Sequence, residues 1–167
     1  MGSVVVAVGK LGVFPDSIAV VGLSIVSSNM FPKELTLERL NTINENTLAS
    51  HIGIEYTEIG SDYLVARMPV DKRTTQPYNT LHGGASVVLS ETLGSQAAAV
   101  LLDLDKQYPV GLEINANHIK SISSGYVYGR VTPIHIGSST HVWETRITDE
   151  ENSLICISKL TVAILDR

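Results

Sequence analysis

Residues 76–95 read QPYNTLHGGASVVLSETLGS, and the apolar run continues through QAAAVLL to Leu102. The pattern predicts a long helix from about Gly84 to Leu102. Val87, Val88, Leu89, Leu93, Ala97, Ala98, Ala99, Val100, Leu101 and Leu102 leave it no polar side. A helix that is apolar all round is buried in a protein or in a membrane. About nineteen residues that include Ser86, Ser90, Glu91, Thr92, Ser95 and Gln96 make a poor span. The helix is therefore expected to be central, with other elements wrapped around it.

The flanking sequence supplies the wrapping. TLERLNTINENTLASHIG puts Leu37, Leu40 and Ile43 on one helical face with Thr36 as N-cap, and TLASHI adds a turn. IGIEYTEIG and DYLVARMPV alternate like strands and meet at Gly60-Ser61-Asp62, which predicts a hairpin. After the helix, VGLEINANHIKSI, GYVYGRVTPIHI, THVWETRITD and LICISKLTVAIL alternate again, with turn residues at 123–125, 137–139 and 149–152. Short links between successive strands predict an antiparallel meander. The expected class is α+β, a curled antiparallel sheet of about six strands around one helix.

The chain has 167 residues, enough for one well-filled core, with 44% apolar and 17% charged residues. A net charge of −5 argues against a nucleic-acid partner. The lone Cys156 excludes an intrachain disulfide, suits the cytoplasm, and reads as core packing within an alternating strand. Residues 1–29 are rich in Val, Ile and Gly. Lys10, Pro15 and Asp16 break any signal-peptide or membrane-spanning run there, so the segment is expected to be a leader of unassigned role, native or not. The domain proper is expected over 30–167.

A carboxylate in so apolar a helix needs a reason. Glu91 could face solvent or pair with a cation, or it could stand in a cleft as nucleophile or general base. Gly83 and Gly84 could merely ease a tight start, or they could open the unpaired N–H groups of the helix N-terminus to a ligand oxygen. His82 and Gln76 stand beside that start. His82 and Glu91 are nine positions apart, roughly 13 Å of helical rise. One carbonyl cannot touch both on the same helix. If both serve one reaction, two antiparallel copies must meet across a twofold axis, which predicts a homodimer with two sites. Ser95, one turn beyond Glu91, is positioned to orient a water or the carboxylate.

The stretches MPVDKRTTQPYNTLHGGASVVLSETLGS, VGLEINANHIKS, PIHIGSSTHVW and LTVAIL make the chain resemble the hotdog-fold thioesterases from about Thr36 to Leu165. The branch it resembles hydrolyses aryl-CoA and acyl-CoA, and includes 1,4-dihydroxy-2-naphthoyl-CoA, 4-hydroxybenzoyl-CoA and enterobactin-proofreading thioesterases. The resemblance implies Glu91 as nucleophile or general base and the partner subunit's Gly83 N–H as the group polarising the carbonyl. His82 and Gln76 would position the thioester, and Ser95 would orient water. It also implies that Lys120 and the Ser138-Ser139 turn contact the CoA nucleotide, and that the assembly is a dimer of dimers. CoA is then part of the substrate, and no separate cofactor or membrane partner is expected. The resemblance does not separate menaquinone biosynthesis from siderophore proofreading or aromatic degradation. A hotdog dehydratase or hydratase, or a non-catalytic acyl-CoA-binding module, remains as an alternative. The spacing of His51, His135, His141 and Cys156 predicts no metal site. Trp143 reads as packing, and His118 as core or rim packing in preference to ligand contact. Asn115 and Asn117 read as satisfying backbone at a sheet edge or dimer interface.

Overall fold

The computed structural model describes residues 29–167, so the expected leader lies, but for Asn29, outside the described residues. The elements run α1 (Leu37–Ile43), α2 (Leu48–His51), β1 (Glu55–Ile59), β2 (Leu64–Pro69), α3 (Gly83–Ala99), β3 (Gln107–His118), β4 (Tyr126–Ile136), β5 (Thr140–Thr148) and β6 (Leu154–Asp166). All six strands join one antiparallel sheet in the order β1-β2-β4-β5-β6-β3, with α3 laid across it. The class is the expected α+β hotdog arrangement. Among the described residues no helix is long and apolar enough to cross a membrane.

The meander needs correction. Strands β4, β5 and β6 follow one another as hairpins, but β3 lies on the far edge beside β6, and β4 lies beside β2. The link Ile119–Gly125 is short, yet seven extended residues reach about 23 Å, and three strand spacings of about 4.8 Å need only about 14 Å. A short connection therefore does not force neighbouring strands. The link is pegged on the way, by Ile119 N–H to the Ile155 carbonyl, Leu81 N–H to the Ile122 carbonyl, and Val70 N–H to the Gly125 carbonyl.

Two smaller expectations shift. In α1 the Thr36 hydroxyl caps the Arg39 N–H as expected, but only Leu40 is buried, and Leu37 and Ile43 stay exposed. α3 stops at Ala99 rather than Leu102. Its end tightens into i→i+3 bonds from Leu101 to Ala98 and from Leu102 to Ala99, the usual way a helix satisfies its last carbonyls.

The sheet covers one side of α3, burying Ser86, Leu89, Ser90, Leu93, Gly94, Ala97 and Ala98. A leucine pair from α3 and Leu160 from β6 fill the glycine gaps at Gly129 and Gly94. Tyr56, almost wholly buried on β1, donates its hydroxyl to the Thr92 carbonyl at 3.2 Å, and burial pushes its phenol pKa up. Trp143 and Cys156 are buried in the same core, as expected of packing residues. The opposite stripe of α3, Val87, Glu91, Ser95 and Ala99 at i, i+4 spacing, is only partly covered. Beside it runs β3, an edge with no partner strand among the described residues, with Tyr108, Val110 and Leu112 exposed. A long apolar edge of this kind invites pairing with another chain.

Candidate active site

The start of α3 is held from three directions. His82 N–H bonds to the Thr74 carbonyl, Leu81 N–H to the Ile122 carbonyl, and Thr74 anchors its own loop through its hydroxyl to the Pro69 carbonyl at 2.6 Å. His82 is the N-cap, and its Nδ1 accepts the Gly84 N–H at 2.8 Å. The cap therefore uses the second N–H of the helix and leaves the first, on Gly83, without a partner among the described residues, at the positive end of the helix dipole. An acceptor Nδ1 also puts the neutral proton of His82 on Nε2.

Gln76 stands beside this N-terminus in a tight turn with Asn79 at φ 57°. Its amide donates to the Thr80 hydroxyl at 2.9 Å. Gln76, Thr80, Gly83, Ser86, His118 and Lys120 line a polar hollow of about 310 Å³. Gln76, His82 and Gly83 are thus brought together as the sequence suggested.

Glu91 is elsewhere. It lies two turns along α3, about 12 Å from Gly83 by helical rise. Its Oε1 accepts the Ser95 hydroxyl at 3.0 Å. The carboxylate reaches toward Gly111 of β3, where a methyl group would come within 2.6 Å of Oε1. Glu91 is partly buried and makes no ion pair with any cation among the described residues, so pairing does not account for it.

The two places expected at the CoA nucleotide, Lys120 and the Ser138-Ser139 turn, divide in the same way. Lys120 sits by Ile155 at the start of β6 and pairs with Asp149 at 3.2 Å. Burial would raise the Asp149 pKa, but the Ser153 N–H and the Lys120 ammonium more than offset that and hold it below the usual range. Ser138 and Ser139 form the β4–β5 turn at the other end of β6, where Ser139 accepts the Ile164 N–H. At about 3.3 Å per residue these ends are roughly 30 Å apart. A larger apolar hollow, about 330 Å³, lies between α1 and the last turn of α3 and includes Leu35, Arg39, Ile43, Gln96 and Leu102, but not Glu91.

Two neighbours of these residues escaped the sequence reading: Gly111 makes room for the Glu91 carboxylate, and Asp149 engages Lys120. His118, read as packing at the core or rim, lines the Gly83 hollow. Period two along INANH could have exposed His118, because Ile114 and Ala116 face the core on the same side. Asn115 and Asn117 fall on the other face of this edge strand, where Asn115 donates to Glu113.

Residues 78–156 match the thioesterase superfamily. The chain is 48% identical over 136 residues to 1,4-dihydroxy-2-naphthoyl-CoA hydrolase of Escherichia coli, covering 81% of this chain and 99% of that one. It is 46% identical over 136 residues to the proofreading thioesterase EntH of Cronobacter turicensis, covering 81% and 98%. The crystal structure of a thioesterase from Haemophilus influenzae superposes with a TM-score of 0.79 at 46% identity, over 82% of this chain and 95% of the other.

Proposed function

The chain belongs to the thioesterase superfamily and is a thioester hydrolase, and on that premise we propose that it cleaves acyl-CoA to a free acid and CoA at sites shared between two subunits. Glu91 of one subunit faces a thioester whose carbonyl oxygen rests on the Gly83 N–H of the other. The carboxylate either attacks the carbonyl carbon itself or takes a proton from water that does. In the second course, water oxygen bonds to carbon as its proton passes to Glu91, and the carbonyl π pair moves onto oxygen. Collapse of that adduct breaks the C–S bond, and the CoA thiolate leaves and takes up the proton. Ser95 fixes the carboxylate, while Gln76 and the His82 cap hold the N-terminus that receives the oxyanion.

The observation that carries this reading is the separation of the two functions. A free helix N-terminal N–H and an unneutralised, Ser95-oriented carboxylate occupy one helix about 12 Å apart, too far for one carbonyl and suited to two antiparallel copies. The exposed β3 edge beside the open stripe of α3 supports pairing there. Lys120 of one copy and the Ser138-Ser139 turn of the other would then flank the CoA arm. Similarity to a naphthoyl-CoA hydrolase supports an aromatic acyl group, with 1,4-dihydroxy-2-naphthoyl-CoA the first to try and menaquinone biosynthesis the corresponding pathway. A cytoplasmic dimer of dimers completes the reading.

The test is free-thiol release from a panel of aryl-CoA and alkyl-CoA thioesters. Glu91→Ala is expected to lose at least about a hundredfold in kcat, the scale of removing a positioned base. Hydrolysis unaffected by that substitution contradicts the mechanism. Tight CoA binding without any hydrolysis contradicts the acyl-CoA substrate or the site.

A further inference from the structure

Two imidazoles meet the first turn of α3, and each fills the space that a glycine leaves. A methyl group at Gly84 would lie 3.0 Å from Nδ1 of His82, the ring that caps the helix. A methyl group at Gly83 would lie 2.7 Å from Nε2 of His118, and 3.1 Å and 3.3 Å from its two adjacent carbons. The Gly-Gly pair therefore accommodates two histidines arriving from different elements, one local and one from β3.

The position of His118 is set by the sheet. Ile114 and Ala116 pack toward the core, and the strand period carries the side chain at 118 to the same side, over the start of α3. Of its ring atoms, Nε2 comes nearest to Gly83, the residue whose N–H the cap leaves free. The hydrogen bonds that fasten this corner use His82, Gln76 and Lys120 and leave the His118 imidazole out. Its proton is thus free to sit on Nε2. Around it, one Gln76 amide proton goes to Thr80, the Lys120 charge is held by Asp149, and His82 caps the helix through Nδ1.

We propose that His118 is a catalytic residue whose Nε2–H donates, together with the Gly83 N–H, to the oxygen that becomes negative as the thioester carbonyl is attacked. The substrate oxygen sits between one backbone donor and one side-chain donor supplied by the same chain, while the carboxylate comes from the partner. This rests on the thioester reading of the site. It adds a donor that changes no covalent bond and acts only as charge develops, so it belongs to kcat rather than to KM.

The experiment compares His118→Ala, His118→Gln and His118→Asn with the wild-type chain, using benzoyl-CoA and hexanoyl-CoA as probes. Glu91→Ala is run in parallel, and thermal melting monitors the fold. His118→Ala should lower kcat about a hundredfold with KM changed less than about threefold, the scale of deleting one oxyanion donor. His118→Gln carries an N–H₂ near the position of Nε2 and should recover at least tenfold of that loss. His118→Asn, whose amide ends short of it, should not. The proposal is overturned if His118→Ala keeps kcat within threefold while Glu91→Ala abolishes turnover, an outcome that leaves the thioester reading standing. It is equally overturned by an effect on KM alone, which would mark a CoA contact, or by Gln doing no better than Ala at unchanged melting temperature. A wild-type chain that hydrolyses neither these probes nor any of the CoA panel overturns both readings together.

Discussion

The first turn of α3 is crowded with donors and fastened to its surroundings by backbone. Thr74, Ile122 and the His82 cap grip it, and the Gly83 N–H and His118 face the hollow. Two turns later the helix carries an acceptor, Glu91, fixed by a single hydroxyl from Ser95 and by the absence of a side chain at Gly111. One end offers N–H donors, and no carboxylate lines its hollow. The other has a base and no pair of free N–H donors. Helical rise keeps them apart within a chain, and that separation is what the proposed shared site rests on.

The severest way to break that comparison is to inactivate different ends in different chains. Co-expressed Glu91→Ala chains and Gly83→Ala chains, the latter disabled by a methyl group 2.7 Å from His118 Nε2, should regain about a quarter of wild-type activity. Half of the dimers are mixed, and each mixed dimer has one intact site of two. Turnover that stays at background in purified mixed dimers would mean that each site is built within one chain.

A subtler change moves the carboxylate without removing it. Gly111→Ala puts a methyl group 2.6 Å from where Oε1 now lies, and because Oε1 ends a flexible side chain the fold should survive. The expected result is a melting temperature near wild type with kcat about tenfold lower, since even about 1 Å of misplacement is costly in rate. Unchanged kcat would remove Gly111 from the site.

The smallest effect separates the ends by acid. Asp71, bonded by the Arg73 side chain and N–H, is held down to about 2, and Asp149 is held below the usual range once Ser153 and Lys120 offset its burial. Both lie in loops that frame the donor end. A depressed folded pKa means that the stabilisation is fully present above the unfolded value, about 3.9, and is lost as pH falls through the folded value, here toward about 2 for Asp71. Melting temperature should therefore fall between about pH 4 and 2, and less steeply in Asp149→Asn. Both pairs are partly exposed, so the slope should be shallow and weaker still in high salt. Equal slopes for the two proteins would exclude Asp149 from this acid response.

Particular residues show how far reading along the chain could go. Glu91, Ser95, His82, Gly83 and Gln76 were visible because each is unusual where it stands: a carboxylate in an apolar helix, glycines at its start, polar groups in the loop before it. Gly111 and Asp149 were not, because nothing local marks them, and His118 reads along the chain as packing, its strand period giving only the face it takes. Their importance comes from contacts with Gly83, Glu91 and Lys120, which belong to other elements. The strand order escaped for the same reason, since alternation reports which face a residue takes and not which strand lies beside it. Leu37 and Ile43 show the converse error, a correct local period with too little structure above it to bury the face.

What the sequence determined by itself was the set of elements, the buried character of α3, and the impossibility of one carbonyl reaching both Gly83 and Glu91. Those follow from periodicity, helix termini and rise per residue, all of which are local. Only the tertiary structure decided that β3 runs along the far edge beside β6, and so brings Gly111 to Glu91 and His118 to Gly83. The physical reason is that the sheet closes contacts between residues distant in the chain, and the missing Cβ of a glycine acquires meaning only from the side chain that occupies its place.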